Sequence, residues 1–125
     1  MIMREQAARS LQFSHNGKLL ALGTGFHGEN TGTAAIVDVS MGKILHNFDC
    51  NSGPVVIALT PDDKHLAIGS SYKQTVDVFE IASGKKAREE LTVQNGCRVT
   101  GLGYSSDGKY LAVISWGVEG NYGVR

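Results

Sequence analysis

The sequence predicts an all-β fold built from repeated units of four antiparallel strands. A twelve-residue block that begins at Phe13 recurs at Leu59 and at Tyr104, so the chain repeats itself about every 45 residues. No segment shows the sustained 3.6-residue period of an amphipathic helix. Glycine accounts for 16 of the 125 residues and proline for only 2, a balance that is typical of many tight turns between short strands.

The repeated block predicts a hairpin. In each copy an apolar segment runs into a polar turn, and a second apolar segment follows. The turns contain Asn16-Gly17, Asp62-Asp63 and Asp107-Gly108, residue pairs that adopt positive φ at low cost. A second block, 36–43, matches 78–85 and predicts a third strand that ends in a turn, with a more polar fourth strand behind it. Four short strands in about 45 residues are typical of a propeller blade.

The same residues carry a family resemblance. The turns are followed by Leu-Ala-Leu-Gly, Leu-Ala-Ile-Gly and Leu-Ala-Val-Ile, and Val37-Asp38 and Phe79-Glu80 stand where one family often has Trp-Asp. From about Arg9 onward the chain resembles the WD-repeat β-propellers, although neither pair contains Trp and no Gly-His precedes a first strand. The first block is similar to the propellers of echinoderm-microtubule-associated-protein-like proteins. The resemblance implies a scaffold for protein partners with a cytoskeletal, ciliary or microtubule-associated role.

The repeat spacing divides residues 1–125 into a partial propeller of about two and a half blades. Blade one is expected at about 9–49, blade two at about 54–93, and an incomplete blade three at about 98–125. Propellers close with about four to eight blades, and an open stack exposes apolar faces and unpaired strand edges. Three alternatives would cover them: the rest of a longer chain, self-association, or another protein.

Composition argues against several classes of function. Lys and Arg number 12 and so do Asp and Glu, which leaves no net charge to attract nucleic acid or an anionic membrane. The sequence has no apolar run that predicts a membrane helix or a secretory signal, and we expect a cytoplasmic protein. Cys50 and Cys97 are predicted to be free thiols. The four His are scattered, so we predict neither a metal nor another cofactor.

The loops between second and third strands are the predicted partner-binding sites. The loop of blade one is four residues longer than that of blade two when the repeated blocks are aligned. Loops on such rigid frameworks carry binding residues, and Trp and Tyr are frequent at binding hot spots. Trp116 could equally pack between blades. The predicted contacts are Phe26, His27, Glu29, Asn30, Tyr72, Lys73, Gln74, Trp116, Glu119 and Asn121.

No motif in the sequence supports catalysis. Residues 23–28 match Gly-x-Gly-x-x-Gly, but the next apolar strand follows too soon for the helix that a dinucleotide site needs. We therefore predict a noncatalytic scaffold. The alternative is a propeller enzyme of the hydrolase or lactonase type with a metal in its central channel, to which His27 and Asp49 could contribute. The charged run 85–90 is predicted to be the solvated outer strand of blade two.

Overall fold

The computed structural model describes residues 8–25, 32–50, 54–70, 75–88, 91–93, 98–116 and 122–124, and within them all regular structure is β-strand. The strands form three antiparallel sheets in the orders β1-β2-β3-β4, β5-β6-β7-β8 and β11-β10-β9, which we call blades one, two and three. The all-β prediction is confirmed. The strands are β1 Ala8–Phe13, β2 Leu19–Thr24, β3 Thr33–Asp38, β4 Lys43–Asp49, β5 Val55–Leu59, β6 His65–Ser70, β7 Thr75–Glu80, β8 Leu91–Thr92, β9 Arg98–Tyr104, β10 Leu111–Trp116 and β11 Tyr122–Val124.

None of the described residues belongs to a helix long and apolar enough to cross a membrane.

The first turn of each blade is built by one hydrogen-bond network. In blade one the Ser14 hydroxyl donates to Asn16 Oδ1 over 2.7 Å and accepts from the Leu19 amide over 2.9 Å. Thr60 with Asp62 in blade two, and Ser105 with Asp107 in blade three, repeat the first bond at 2.6 and 2.7 Å. The positive φ predicted for these turns is confirmed, at 75° in Gly17 and Gly108 and at 61° in Asp63. The Ser/Thr-x-Asp/Asn sequence therefore determines the turn locally.

The sheets pack large side chains on small ones. Successive residues of a strand point to opposite sides, so each sheet has two faces. One face of blade two carries the large side chains Ile57, Leu59, Leu66 and Ile68, which share one buried cluster with Ala21, Ala34 and Ile36 of blade one. We call these the bulky face and the small face. The bulky face of blade three packs in the same way on the small face of blade two. Blade three contributes Leu102, Tyr104, Leu111 and Val113, and blade two contributes Ala58, Ala67, Val76 and Val78.

Glycine allows the closest approach at both junctions. A Cβ on Gly23 in β2 would overlap the backbone carbonyl oxygen of Val55 in β5. A Cβ on Gly69, the corresponding residue of β6, would lie 2.7 Å from Val99 Cγ1 in β9. Side chains of β1 also form hydrogen bonds with β5. Ser10 Oγ accepts from the Ile57 amide at 3.3 Å, and Gln12 Oε1 accepts from the Leu59 amide at 3.0 Å. The junction between blades one and two therefore combines apolar packing with hydrogen bonds that satisfy backbone amides at the edge of β5.

The outer edge of blade two differs from the prediction. Residues 85–88 do not form a continuous strand, because only Lys86 among them pairs with β7, at Phe79, whereas Leu91 pairs with Val76. More residues lie on the outer side than on β7 between those two pairs, which interrupts the ladder and leaves β8 with two residues. Lys85, Lys86 and Arg88 are exposed, as predicted for a solvated edge, and Glu89–Glu90 lie outside the described residues.

We expect Gly23→Ala to destabilise the chain much more than Gly103→Ala. The added Cβ at 23 meets a backbone carbonyl that cannot move without separating blades one and two, and overpacking of this kind costs about 1–3 kcal/mol or more. Gly103 also lies in a strand, yet a Cβ there has nothing within 4 Å, so its replacement should change the free energy of unfolding by less than about 1 kcal/mol. Denaturant unfolding followed by circular dichroism measures both. Equal losses would contradict the close contact.

Candidate functional site

The ten predicted contact residues lie in the sequence at or after the ends of the second strands, and we call the end of the sheets where β2, β6 and β10 finish the loop end. Trp116 is described only as the last residue of β10, where its backbone pairs with Arg98. The other nine predicted contacts lie outside the described residues. The predicted loop site therefore stays a prediction. The nine are Phe26, His27, Glu29, Asn30, Tyr72, Lys73, Gln74, Glu119 and Asn121.

Buried hydroxyl groups stand at the base of these loops. Thr24, Ser70 and Ser115 occupy corresponding positions near the ends of the second strands, and all are less than 7% exposed. In blade one the Thr24 and Thr33 hydroxyls lie 2.9 Å apart, and the Thr33 amide donates to Thr24 Oγ1 over 3.2 Å. These bonds hold the end of β2 against the start of β3, the two strands that the long loop of blade one connects. Ser70 Oγ has no partner within the described part of the chain.

Two corresponding cavities lie at the opposite end, which carries the turns and which we call the turn end. The cavity of blade one has a volume of about 320 Å³ and is lined by Gly17, Lys18, Asp38, Val39 and Ser40. The cavity of blade two has a volume of about 310 Å³ and is lined by Asp63, Lys64, His65, Glu80, Ile81 and Ala82. Each lies between the first turn of its blade and the turn after the third strand. The sequence reasoning missed both cavities, although the repeated Lys and acidic positions were visible in it.

Backbone hydrogen bonds hold the two turns of each cavity together. The Val39 amide donates to the Lys18 carbonyl over 3.0 Å, and the Ile81 amide donates to the Lys64 carbonyl over 2.9 Å. The turn after the third strand closes through glycine, with φ of 64° at Gly42 in blade one and 72° in the corresponding glycine of blade two. Only glycine adopts such φ values without strain. The cavity walls are therefore backbone features of the repeat.

Each cavity is lined by one lysine, by an apolar residue and by at least one carboxylate, which is Asp38 in blade one and Asp63 with Glu80 in blade two. Lys18 and Lys64 are exposed, and Val39 and Ile81 are the corresponding apolar residues. In blade one the Ser40 hydroxyl donates to Asp38 Oδ1 over 2.8 Å, and this bond, with the Met41 amide, lowers the Asp38 pKa below its ordinary value. The carboxylate therefore remains ionised at neutral pH. Such a set can bind polar side chains of either charge together with an apolar group.

Asp63 ties the turn of blade two to the turn of blade one. Its Oδ1 accepts from the His15 amide at 2.8 Å and lies 3.0 Å from His15 Nδ1, while Oδ2 accepts from the Asn16 amide at 3.1 Å. Burial raises the Asp63 pKa, but the hydrogen bonds from the His15 amide and ring and from the Asn16 amide outweigh it, so the pKa lies below its ordinary value. Asp63 stands where the other two turns have glycine, and its carboxylate gains a contact that glycine cannot make.

The part of the chain that the structure describes contains no cluster of metal-binding side chains that would support the alternative of a channel metal. Within those residues, no three or more His, Cys, Asp or Glu side chains lie together as a metal site would require. Of the two residues considered for a channel metal, Asp49 ends β4 and His27 lies outside the described residues. Cys50 is buried and Cys97 lies outside the described residues, so the two free thiols stay a prediction.

Known proteins resemble this chain in sequence. Residues 3–60 match the family described as the anaphase-promoting complex subunit 4 WD40 domain. The U3 small nucleolar RNA-associated protein 15 homolog of Danio rerio is 37% identical over 62 residues, which cover 50% of this chain and 11% of that protein. The chain thus spans about a tenth of the length of this relative.

Solved structures show the fold. The β-propeller domain of Cps50 (Swd1) from Myceliophteria thermophila superposes with a TM-score of 0.74 at 17% identity, covering 91% of this chain and 34% of that one. The hydrazine synthase of Kuenenia stuttgartiensis gives a TM-score of 0.74 at 20% identity, covering 98% and 34%. These likenesses concern the fold alone. With them the prediction of a partial propeller of about two and a half blades is confirmed.

We expect Asp63→Gly to lower stability more at neutral pH than in acid. Glycine keeps the positive φ of the turn and removes only the bonds to His15 and Asn16, which should cost about 1–2 kcal/mol. A carboxyl group whose folded pKa is depressed stabilises the fold above its unfolded pKa of 3.8, and this contribution is lost as the pH falls through the folded pKa. Unfolding curves of both proteins at about pH 7 and about pH 3 test this. A difference of equal size at both pH values would show that the carboxylate charge is irrelevant.

Proposed function

We propose that this chain, which consists of WD-repeat-like β-propeller blades, is a noncatalytic scaffold that binds an extended polypeptide across its turn end. Scaffolding of protein partners is the role that the WD40 match suggests. The position of the binding surface is our inference. The observation that carries it is the pair of corresponding cavities on adjacent blades, each lined by one lysine and at least one carboxylate.

The rigidity of the turns that line the cavities supports the turn end as a binding surface. The cavity walls are turns closed by backbone hydrogen bonds, and Asp63 links the turns of blades one and two through three contacts. A partner therefore meets charged groups that are already in position, which reduces the ordering cost of binding. Because the repeat places the same groups in both blades, an extended segment could put one side chain in each cavity.

The relatives favour a partner within a multi-protein complex. The Danio rerio relative is named for association with a small nucleolar RNA, and the family match is named for a subunit of a multi-subunit complex. This chain has no net charge, so phosphate attraction would contribute little, and we place its contacts on proteins of such a complex. The cytoplasmic location predicted from the lack of a signal segment stays a prediction, as does the cytoskeletal, ciliary or microtubule-associated role implied by the first block, and neither comparison supports them. The loop-end residues remain a second proposed surface.

Peptide selection followed by matched substitutions tests the turn end. Random twelve-residue peptides would be selected on the immobilised chain, and their dissociation constants would be measured for the wild type and for the double variant Lys18→Ala/Lys64→Ala. We expect at least a tenfold loss of affinity, because a hydrogen bond to a charged group contributes about 1.5–3 kcal/mol. Lys109→Ala is the control, since Lys109 holds the same turn position in blade three but lines neither of the two cavities.

The control variant should change the affinity less than about twofold. Two outcomes would overturn the proposal. One is a peptide set whose binding is unaffected by the double variant or equally weakened by Lys109→Ala. The other is a set whose binding is lost only in Tyr72→Ala/Lys73→Ala, which would transfer the site to the loop end.

A further inference from the structure

The two turn-end cavities have corresponding walls but different charges. The turns around the cavity of blade one, 14–18 and 38–43, contain two lysines and one acidic residue. The turns around the cavity of blade two, 60–64 and 80–85, contain two lysines and three acidic residues. With His neutral, the first pair of turns has a net charge of +1 and the second pair a net charge of −1. The zero net charge of the whole chain therefore conceals a difference between neighbouring blades.

Blade one holds its carboxylate within the turn and leaves a lysine accessible. Both the Ser40 hydroxyl and the Met41 amide donate to Asp38 Oδ1, over 2.8 and 3.0 Å. Lys18 is exposed, and none of the described residues forms an ion pair with its ammonium group. A side chain that enters this cavity meets that ammonium group beside a carboxylate that is already hydrogen-bonded. The cavity of blade one therefore favours an acidic side chain.

Blade two lacks the bond that holds this carboxylate. Ala82 stands where blade one has Ser40, so the hydroxyl donor is missing. Glu80 stands where blade one has Asp38, and its side chain is one methylene longer. Glu80 is exposed, and within the described part of the chain its carboxylate has neither a hydrogen bond nor an ion pair, although Lys64 lines the same cavity. The Glu80 carboxylate is therefore accessible to a basic side chain of a partner.

Two further carboxylates keep the surroundings of this cavity negative. Asp62 Oδ1 accepts from a threonine hydroxyl of its own turn over 2.6 Å, and Asp63 Oδ1 accepts from the His15 amide over 2.8 Å. Hydrogen bonds of this kind lower the pKa of both aspartates, so both are ionised at neutral pH. Blade one has Asn16 and a glycine at the corresponding positions, and neither is charged.

We propose that the segment bound across the turn end places an acidic side chain in the cavity of blade one and a basic side chain in the cavity of blade two. This inference rests on the proposed function, because it gives the chemistry of the partner at the same two cavities. The bonds from Asp63 to the first turn of blade one hold the two cavities at a fixed separation. Opposite charges at two fixed points also determine the direction in which the segment lies.

Charge reversal in the chain and in a peptide tests the proposal. The probe is the tightest-binding peptide from the selection described above, with its acidic and basic contact positions located by alanine substitution. We expect Lys18→Glu to lower the affinity at least about tenfold, and lysine in place of the peptide's acidic residue to restore binding to this variant. We expect Glu80→Lys to weaken binding likewise, and glutamate in place of the peptide's basic residue to restore it.

Lys109→Glu is the matched control. It changes the charge by the same amount as Lys18→Glu, at the corresponding turn position of blade three, and Lys109 lines neither of the two cavities. We expect it to change the affinity less than about twofold. All three positions are exposed, so each variant should keep the circular dichroism spectrum of the wild type.

Two results would overturn this charge assignment and leave the turn-end surface in place. Both concern a peptide whose binding is weakened by Lys18→Ala/Lys64→Ala, as the proposed function expects. One result is that Glu80→Lys leaves the affinity of this peptide unchanged or raises it. The other is that the charge-reversed peptides fail to recover binding to the charge-reversed chains. A peptide set that is insensitive to the double alanine variant contradicts the proposed function, and the charge assignment fails with it.

Discussion

The structure depends on one packing rule, in which the large side chains of each sheet lie on the small residues of the sheet before it. Gly23 and Gly69 are where this rule is strictest, because β5 and β9 approach so closely that a Cβ has no room. The burial that results puts Val55, Leu66 and Val99 out of contact with solvent. Each fully buried aliphatic side chain of this kind stabilises the fold by about 1.5–3 kcal/mol. The same rule makes an uncovered bulky face unfavourable.

The turns form a surface of constant shape at the turn end of the packed blades. Their Ser/Thr and Asp/Asn side chains satisfy the turn amides internally, so the turns keep their shape. Asp63 departs from the glycine of its neighbours and uses its carboxylate to connect two blades. Because the cavities lie between such turns, their lysine and carboxylate groups are held at repeated positions on adjacent blades. A scaffold needs this combination of stiffness and accessible charge.

Sequence reasoning succeeded where structure is local and failed where it depends on neighbours. The hairpins and the positive φ at Gly17, Asp63 and Gly108 follow from residues within five positions of one another. The interruption of the outer strand after Lys86 was not foreseen, because it reflects how β7 and the charged run align. The cavities were also missed. Their walls come from two turns about twenty residues apart, which only the sheet order brings together.

The sequence by itself determined the repeat, the strand count of each unit and the turn geometry, since these depend on alternation and on short side chains that bond to their own backbone. Only the tertiary structure decided that Asp63 reaches His15, that Gly23 lies against Val55, and that Ile114 is about half exposed. The physical reason is that contacts between blades join residues about 45 positions apart. Their partners are set by how whole sheets stack, which no local pattern encodes.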